Sequence, residues 1–261
     1  MMKKSLALLL ALSLVLAASL ALADTFKMGI DAEYPPFSYL DDNGEYAGFD
    51  VEMCKAVCEM NGWDLEIVPV NWDFKLNSLD SGEHDCVWSG MTILDSMKEA
   101  GYVLSFPYYD NTQVVLTKEG NGIATTADLA GKRVAVQLGT SGQELLENDQ
   151  SALSATFEGG AAVTMENFNI CGTELAAGSV DAVVIDLPVA QTLQKKFSGL
   201  VILDENLGSE QYGICFRSGD DALCAQVEEG IMKLVEDGTY LSLAKKYGLD
   251  PNVLCLLPKA E

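Results

Sequence analysis

The sequence predicts an α/β protein of two lobes, in which each lobe is a mostly parallel sheet flanked by helices and a ligand cleft lies between the lobes. Short apolar strands alternate with amphipathic helices over residues 25–92, an order typical of parallel sheets. A second alternation begins after residue 125. The segment from residue 212 has one strand and two helices, too few for a sheet of its own. We therefore expect it to return to the first lobe.

Residues 1–23 have the composition of a secretory signal peptide. Lys3 and Lys4 precede the apolar run SLALLLALSLVLAASL, and ALA at 21–23 is a cleavage signal. We expect the mature chain to begin at Asp24 and to reside in the periplasm or elsewhere outside the cytoplasmic membrane. An uncleaved membrane anchor is the alternative. No cysteine follows the apolar run, so we do not expect a lipid anchor.

The chain is strongly acidic, with 39 Asp and Glu residues, 16 Lys and Arg residues and a formal charge of −23. Cleavage would remove two lysines and no acids, which changes −23 to −25. Such a charge disfavours binding to nucleic acid and to an anionic membrane surface. It keeps an exported protein dispersed, so we expect a monomer.

The seven cysteines are an odd number, which leaves at least one unpaired. Cys224 with Cys255 is the one disulfide that we consider. Cys86 and Cys215 lie in apolar strand-like runs and are expected to be small core residues. His84 is the single histidine and no C-x-x-C pair occurs, so we expect no metal site and no cofactor.

The first lobe begins with the strand TFKMGI, followed by a helix over 48–62 that Gly62 ends. The residues expected near one face of this helix are Phe49, Met53, Val57 and Met60. The strands DLEIVPV and DCVWSGM then enclose a short helix, WDFKLNSLDSG.

The second lobe begins with a strand over 133–137 and a helix from Thr140. ENFNICGTELAAGSVDAVVID is a helix, a turn and a strand, and LPVAQTLQKK and LVILD add a helix and a strand. The chain should cross between lobes near 113–117 and near 207–212. We therefore assign 24–113 and 210–261 to the first lobe and 114–209 to the second.

Four stretches are expected at the carboxyl ends of strands, where open α/β sheets bind ligands. Asp31 and Tyr34 leave the first strand, and Trp72 begins the short helix. These aromatic residues either contact a ligand or belong to the core. Ser89, Gly90 and Thr92 follow DCVW and offer backbone and hydroxyl groups to a small zwitterion; Thr140, Ser141 and Asp186 complete the candidates.

Thr140 and Ser141 open a helix, whose free N–H groups suit a carboxylate, although many helices begin in this way. Asp186 closes the strand DAVVID. Its carboxylate either pairs with an ammonium group of a ligand or caps the helix that follows, which begins at Leu187 with proline in its first turn.

Together these stretches resemble the extracellular solute-binding proteins of amino-acid ABC transporters, which have the type II periplasmic-binding-protein fold. The matching segments are GIDAEYPPFSY, NGEYAGFDVEMCKAV, NWDFKLNSLDSGEHDCVWSGMTI, SFPYY, GKRVAVQLGTSG, GSVDAVVID and YGICFR. They occur in the order of the family and extend over the whole mature chain.

The resemblance implies a site for an amino acid or a related zwitterion. Groups at Ser89, Gly90 and Thr92 would hold its α-ammonium and α-carboxylate. The N–H groups at 140–141 would help to bind the carboxylate, and Asp186 would pair with the ammonium.

The family also implies aromatic walls and a closing motion. Tyr34 and Trp72 would line the side-chain part of the site. Because both lobes contact the ligand, binding would stabilise the closed form through movement at the crossing strands, and an ABC transporter permease would be the partner that reads closure.

One family feature is missing. An arginine that clamps the α-carboxylate usually follows the M-T-I run, and in register its place falls on Met97, which has neither charge nor donor. Lys98 could substitute as a point charge. Alternatively, the helix at Thr140 carries the carboxylate alone, or the ligand is not an ordinary α-amino acid.

The leading hypothesis is a non-enzymatic binding component for amino-acid uptake. An enzyme on the same fold is one alternative, such as a dehydratase of prephenate or arogenate in which Asp31 or Asp186 serves as the acid. The sensing module of a receptor is the other, although no membrane span or signalling domain follows the domain here.

Overall fold

The computed structural model describes residues 24–258, so the predicted signal peptide lies outside the described residues. The strands are β1 Thr25–Ile30, β2 Glu33–Tyr34, β3 Ser38–Leu40, β4 Tyr46–Ala47, β5 Asp64–Pro69, β6 Cys86–Thr92, β7 Val103–Leu104, β8 Tyr109–Lys118, β9 Val134–Gln137, β10 Val163–Met165, β11 Ala182–Asp186 and β12 Leu200–Phe216. The α-helices are α1 Phe49–Asn61, α2 Lys75–Asp80, α3 Asp95–Glu99, α4 Ser141–Glu147, α5 Ser151–Ser154, α6 Phe168–Ala177, α7 Leu187–Lys196, α8 Asp221–Glu236 and α9 Thr239–Lys246.

A mixed sheet runs through the described chain in the order β10-β9-β11-β8-β12-β6-β1-β5, with β7 also paired to β12. The strands β5, β1 and β6 are parallel to one another, and so are β10, β9 and β11. The strands β8 and β12 lie between these two groups and run antiparallel to their neighbours. The sequence predicts two separate, mostly parallel sheets, and the structure has them as the two ends of one continuous sheet.

The chain passes between the two halves of the sheet in β8 and β12. Residues 208–212 of β12 pair with 109–113 of β8, and Tyr212 pairs with both Tyr109 and Thr92. The predicted boundaries at 113/114 and 209/210 fall inside these strands. Because neither strand is interrupted there, the assignment of lobe boundaries stays a prediction.

The C-terminal helices return to the first half, as the sequence predicts. In α8, a Cβ atom at Gly230 would lie 2.8 Å from Val57 Cγ1 of α1, so this close approach of the two helices depends on glycine. Phe49, Met53 and Val57 are buried. The prediction was wrong for Met60, which is 43% exposed; its neighbours Glu59 and Asn61 at the end of α1 are exposed too.

Six of the seven cysteines are buried, Cys255 is partly buried, and none forms a disulfide within the described residues. Cys86 and Cys215 are fully buried, as predicted. The disulfide considered between Cys224 and Cys255 is not formed: Cys224 is buried as a thiol, and Cys255 Sγ donates to Asp110 Oδ1 at 3.3 Å. No helix within residues 24–258 combines the length and the apolar character needed to cross a membrane.

Candidate functional site

A cavity of about 270 Å³ lies between the two halves of the sheet. We call its two sides the N-terminal wall and the central wall. The N-terminal wall consists of Asp31, Tyr34, Trp72, Lys75, Leu76, Gly90, Met91, Thr92, Leu94, Ser96, Met97, Ala100 and Tyr102. The central wall consists of Gln137, Gly139, Thr140, Ser141, Glu144 and Asp186.

The walls meet where parallel strands end. Asp31 directly follows β1, Thr92 ends β6, Gln137 ends β9 and Asp186 ends β11. The carboxyl ends of these strands therefore face one cavity, as the rule for open α/β sheets requires.

Eight of the ten predicted site residues line this cavity: Asp31, Tyr34, Trp72, Gly90, Thr92, Thr140, Ser141 and Asp186. Ser89 is not part of the lining. Its side chain is buried behind the wall, where Ser89 Oγ accepts a hydrogen bond from the backbone N–H of Asp31 at 3.1 Å. Ser89 thus positions a lining residue, and its direct contact with a ligand is not supported.

Lys98 is also outside the lining. Its ammonium lies 3.1 Å from Asp95 Oδ1 in an exposed pair on α3. Met97, on the same helix, is buried and lines the cavity. The short helix thus turns the methionine inward and the lysine outward, so this arrangement does not support Lys98 as the substitute for the family arginine.

Lys75 is the basic residue that the structure does place in the wall. It begins α2 and is only 8% exposed. Its Nζ donates to the carbonyl oxygens of Trp72 at 3.1 Å and Gly139 at 2.7 Å, and it lies 4.8 Å from the centre of the Trp72 ring. Burial lowers the pKa of Lys75 to about 8, because desolvation disfavours the charged form.

Asp186 is the most heavily hydrogen-bonded residue of the central wall. Its Oδ1 accepts from Asn111 Nδ2 at 2.6 Å, Gln113 Nε2 at 2.7 Å and Tyr212 OH at 2.8 Å. The same two amide groups donate to Glu210 Oε1. Complete burial, reinforced by the charge of Glu210, raises the pKa of Asp186 to about 8. A ligand ammonium would favour its ionised form.

Asp31 and Gln137 connect the walls directly. Gln137 Nε2 donates to Asp31 Oδ2 at 2.8 Å. Burial raises the pKa of Asp31, and the hydrogen bond from Gln137 opposes that rise. Gln137 Oε1 is buried without a hydrogen-bond partner among residues 24–258. This unsatisfied acceptor is available to an N–H donor of a ligand.

The backbone at Gly90 is fixed by a hydrogen bond to the buried Asp50 side chain. Gly90 N donates to Asp50 Oδ2 at 2.7 Å, and Tyr108 OH donates to the same oxygen at 2.7 Å. The backbone N–H of Gly90 is therefore occupied within the protein, and the contact of Gly90 with a ligand stays a prediction. Gly90 has φ 55°, and a Cβ atom there would lie 2.5 Å from the Tyr34 ring, so only glycine allows the tyrosine to lie along this strand.

Thr140 caps the helix α4 in the central wall. Its hydroxyl accepts from Gln143 N at 3.2 Å and donates to Gln137 O at 2.8 Å. The hydroxyl is thus occupied within the protein. The N–H groups of Ser141 and Gly142 precede the first intrahelical hydrogen bond, and Ser141 lines the cavity.

Sequence reasoning missed the lining residues Lys75, Gln137, Glu144 and Tyr102. Glu144 and Lys75 lie on short helices beside predicted residues, but their neighbours give no sign that they face inward. Gln137 is the last residue of β9. Its position at a strand end is the one signal that would have identified it.

Comparison with known proteins agrees with this architecture. The model of the bacterial extracellular solute-binding proteins, family 3, matches residues 26–250. The chain belongs to this family. The L-cystine-binding protein TcyJ of Escherichia coli (strain K12) is 32% identical over 226 residues, which cover 85% of this chain and 82% of the relative. The predicted family and solute-binding class are thereby confirmed.

Solved structures confirm the predicted two-lobed fold. An ABC uptake transporter substrate binding protein from Streptococcus pneumoniae with bound histidine has a TM-score of 0.84 at 26% identity, over 88% of this chain and 94% of that chain. An ancestral amino acid-binding protein, a precursor of cyclohexadienyl dehydratase, has a TM-score of 0.77 at 34% identity, over 85% and 95% of the two chains.

Proposed function

We propose that this protein binds a zwitterionic amino acid, without chemical conversion, and delivers it to an ABC transporter permease outside the cytoplasmic membrane. The observation that carries the proposal is the composition of the cavity between the halves of the sheet. It combines carboxyl groups at Asp31 and Asp186, an ammonium group at Lys75 and apolar surface from Trp72 and Met97.

Each part of this cavity suits one part of an amino acid. A buried carboxylate with fixed hydrogen-bond donors attracts an ammonium group, because an opposite charge in a site of low dielectric is strongly favoured. Aromatic and aliphatic groups accept the stem of the ligand side chain. The volume of about 270 Å³ limits the ligand to a small molecule.

The two walls explain how binding would be reported to a permease. A ligand that contacts Trp72 on one side and Asp186 on the other binds the closed arrangement better than an open one. Its differential affinity shifts the population toward closure. The crossing strands β8 and β12 are the segments at which such a motion would bend.

The test is a ligand screen on protein that has been unfolded, dialysed and refolded to remove bound small molecules. Thermal unfolding is recorded with each of the twenty amino acids and with cystine, and positive results are measured by calorimetry. We expect a shift with one or a few of them, because a ligand at a hundred times its Kd stabilises by about 2.7 kcal/mol. No shift with any of them contradicts the proposal.

We infer that the protein is not an enzyme. The relatives described above are binding proteins, and the likeness to a precursor of a dehydratase is a likeness to an amino acid-binding protein. The purified chain is therefore expected to leave prephenate and arogenate unchanged. Turnover of either compound, measured by chromatography of the products, contradicts this inference.

A further inference from the structure

We propose that Lys75 is the residue that binds the carboxylate of the ligand, and that its ammonium joins the two walls around it. This proposal deepens the proposed function and rests on it. It places the anion-binding residue on α2 rather than on α3, which carries Met97 and Lys98.

Lys75 is a buried cation that forms no ion pair within the described residues. Its side chain lies in the N-terminal wall and is 8% exposed. Among residues 24–258, no carboxylate oxygen lies within 4.0 Å of its Nζ; the more distant acids Asp73, Glu144 and Asp31 only partly oppose the fall in the pKa of Lys75 that burial causes. Burial of an unpaired charge is costly, and the carboxylate of a ligand would supply the missing partner.

The hydrogen bonds of Lys75 leave one of its donors for a ligand. An ammonium group has three N–H donors. Two of them are directed to the carbonyl oxygens of Trp72 and Gly139, which leaves one donor for a ligand. Trp72 belongs to the N-terminal wall and Gly139 to the central wall. The same lysine therefore orders both sides of the site at which the carboxylate would lie.

The remaining ionisable groups of the lining disfavour a carboxylate anywhere but at Lys75. The other ionisable side chains that line the cavity with a carboxyl group are Asp31, Glu144 and Asp186, which repel a carboxylate. Met97 offers no donor, and Lys98 is directed to solvent. A zwitterion is thus oriented with its ammonium toward Asp186 and its carboxylate toward Lys75.

If Lys75 had a purely structural role, we would expect an uncharged residue at this buried position. Both carbonyl groups that Lys75 contacts belong to residues that are only half-buried, so water can replace the lysine there. Burying an unpaired charge is costly, so an apolar side chain of similar volume would serve a structural role at this position at a lower cost. A lysine retained at this buried position is explained by the anion that it binds.

The experiment compares Lys75→Met with Lys98→Met, a matched removal of an ammonium group from the exposed face of α3. Calorimetry measures Kd for three probe pairs in which the second member lacks the carboxylate: L-histidine and histamine, L-arginine and agmatine, L-cystine and cystamine. For any amino acid that binds, Lys75→Met is expected to weaken affinity roughly tenfold to a hundredfold. The amine of that pair should bind both proteins equally, and Lys98→Met should change neither.

Several outcomes overturn the proposal. If Lys75→Met weakens the amino acid and its amine by the same factor, the lysine only holds the walls together. If Lys98→Met shows the selective loss instead, the carboxylate lies at α3. If Lys75→Met lowers the unfolding temperature of the ligand-free protein, its role is structural.

The unfolding measurement also separates this proposal from the proposed function. If no probe binds the wild-type protein, the amino-acid assignment fails. The unfolding temperature of ligand-free Lys75→Met then still tests whether Lys75 is an unpaired cation. An unfolding temperature equal to or above that of the wild type, together with stabilisation by acetate of the wild type alone, supports an anion site. A lower unfolding temperature, or equal acetate effects in the two proteins, overturns it.

Discussion

The two walls of the cavity differ in how they provide charge. The N-terminal wall is broad and largely apolar, with Trp72, Leu76, Met91, Met97 and Tyr102 around a single ammonium group. The central wall has fewer lining residues and is polar, and the carboxyl group of Asp186 is fixed by a hydrogen-bond network that extends to the crossing strands. The comparison indicates that the N-terminal wall combines apolar surface with the ionisable groups of Asp31 and Lys75, whereas the central wall presents the carboxyl group of Asp186 in a fixed network.

The difference also extends to rigidity. Asp186 is held by three donors on its Oδ1 atom, so the central wall presents a preformed acceptor. The ammonium of Lys75 sits on a flexible stem whose contacts include the opposite wall. Lys75 of the N-terminal wall therefore makes its full set of hydrogen bonds only when the cavity is closed. The hydrogen bonds that hold Asp186 in the central wall do not depend on closure.

The largest effect that tests this comparison is expected from Asp186→Asn. The substitution removes the carboxyl group that an ammonium ligand would ionise, while it retains hydrogen-bonding groups beside Glu210. Truncation of one partner of a buried charge pair costs about 2–5 kcal/mol, so we expect amino-acid affinity to fall roughly a hundredfold or more. Calorimetry measures it, and Asp64→Asn on the exposed edge strand β5 is the control. A loss of less than threefold would show that the ammonium lies elsewhere.

The second prediction concerns pH. Below about pH 8 the ligand-free protein retains a proton on Asp186, and an ammonium ligand releases it, so affinity rises with pH by up to tenfold per unit. Above about pH 8 the ligand-free Lys75 loses its proton, and a carboxylate ligand restores it, so affinity falls. Affinity should therefore be greatest near pH 8.

The rise and the fall of this pH profile come from residues in different walls of the cavity. Asp186→Asn should remove the rise, and Lys75→Met should remove the fall. The other ionisable groups that face Asp186 are Glu210, Tyr212 and Tyr34. A profile of the wild type that is flat between pH 6 and 9 is incompatible with this assignment.

The third prediction tests the contact between the walls. Gly139 has φ 74°, and a Cβ atom there would lie 2.7 Å from Asp73 Cα across the cleft. Overpacking of this kind costs about 1–3 kcal/mol. It destabilises only the closed cavity, because Asp73 lies on the other side of the cleft. We expect Gly139→Ala to weaken ligand affinity about tenfold.

Gly131→Ala is the matched control, because Gly131 has φ 71° and a Cβ atom there would meet nothing within 4 Å. Both variants should lose similar stability in urea without ligand, since both place alanine in the left-handed region. If both lose affinity equally, the contact with Asp73 has no part in closure.

The smallest effect is expected from Gln137→Met, which removes the hydrogen bond to Asp31 between the walls. A hydrogen bond to a charged group contributes about 1.5–3 kcal/mol at most, and water can reach part of this site when it opens. Affinity should fall several-fold, measured by calorimetry. Gln150→Met, which removes a hydrogen bond to Leu207 O away from the cavity, should leave affinity unchanged.

The sequence was sufficient to predict the strands and the positions at their carboxyl ends, because periodicity and chain order determine both. Asp31, Thr92 and Asp186 were identified in this way. It was not sufficient to distinguish Lys75 from Lys98. Each is a lysine on a short helix, and lysine is usually exposed. Burial of Lys75 depends on Gly139, which is 64 residues away, and no local pattern encodes that contact.

The central position of β12 has a consequence for how the molecule is made. Both β6 and β8 use β12 as a neighbour, yet β12 ends at Phe216 and is the last strand to leave the ribosome. Until then each of those strands has one open edge, which is a site for wrong pairing. Contacts between residues so far apart in sequence form slowly. The chain therefore remains incompletely paired while most of it is synthesised, which suits a protein predicted to cross a membrane before it folds.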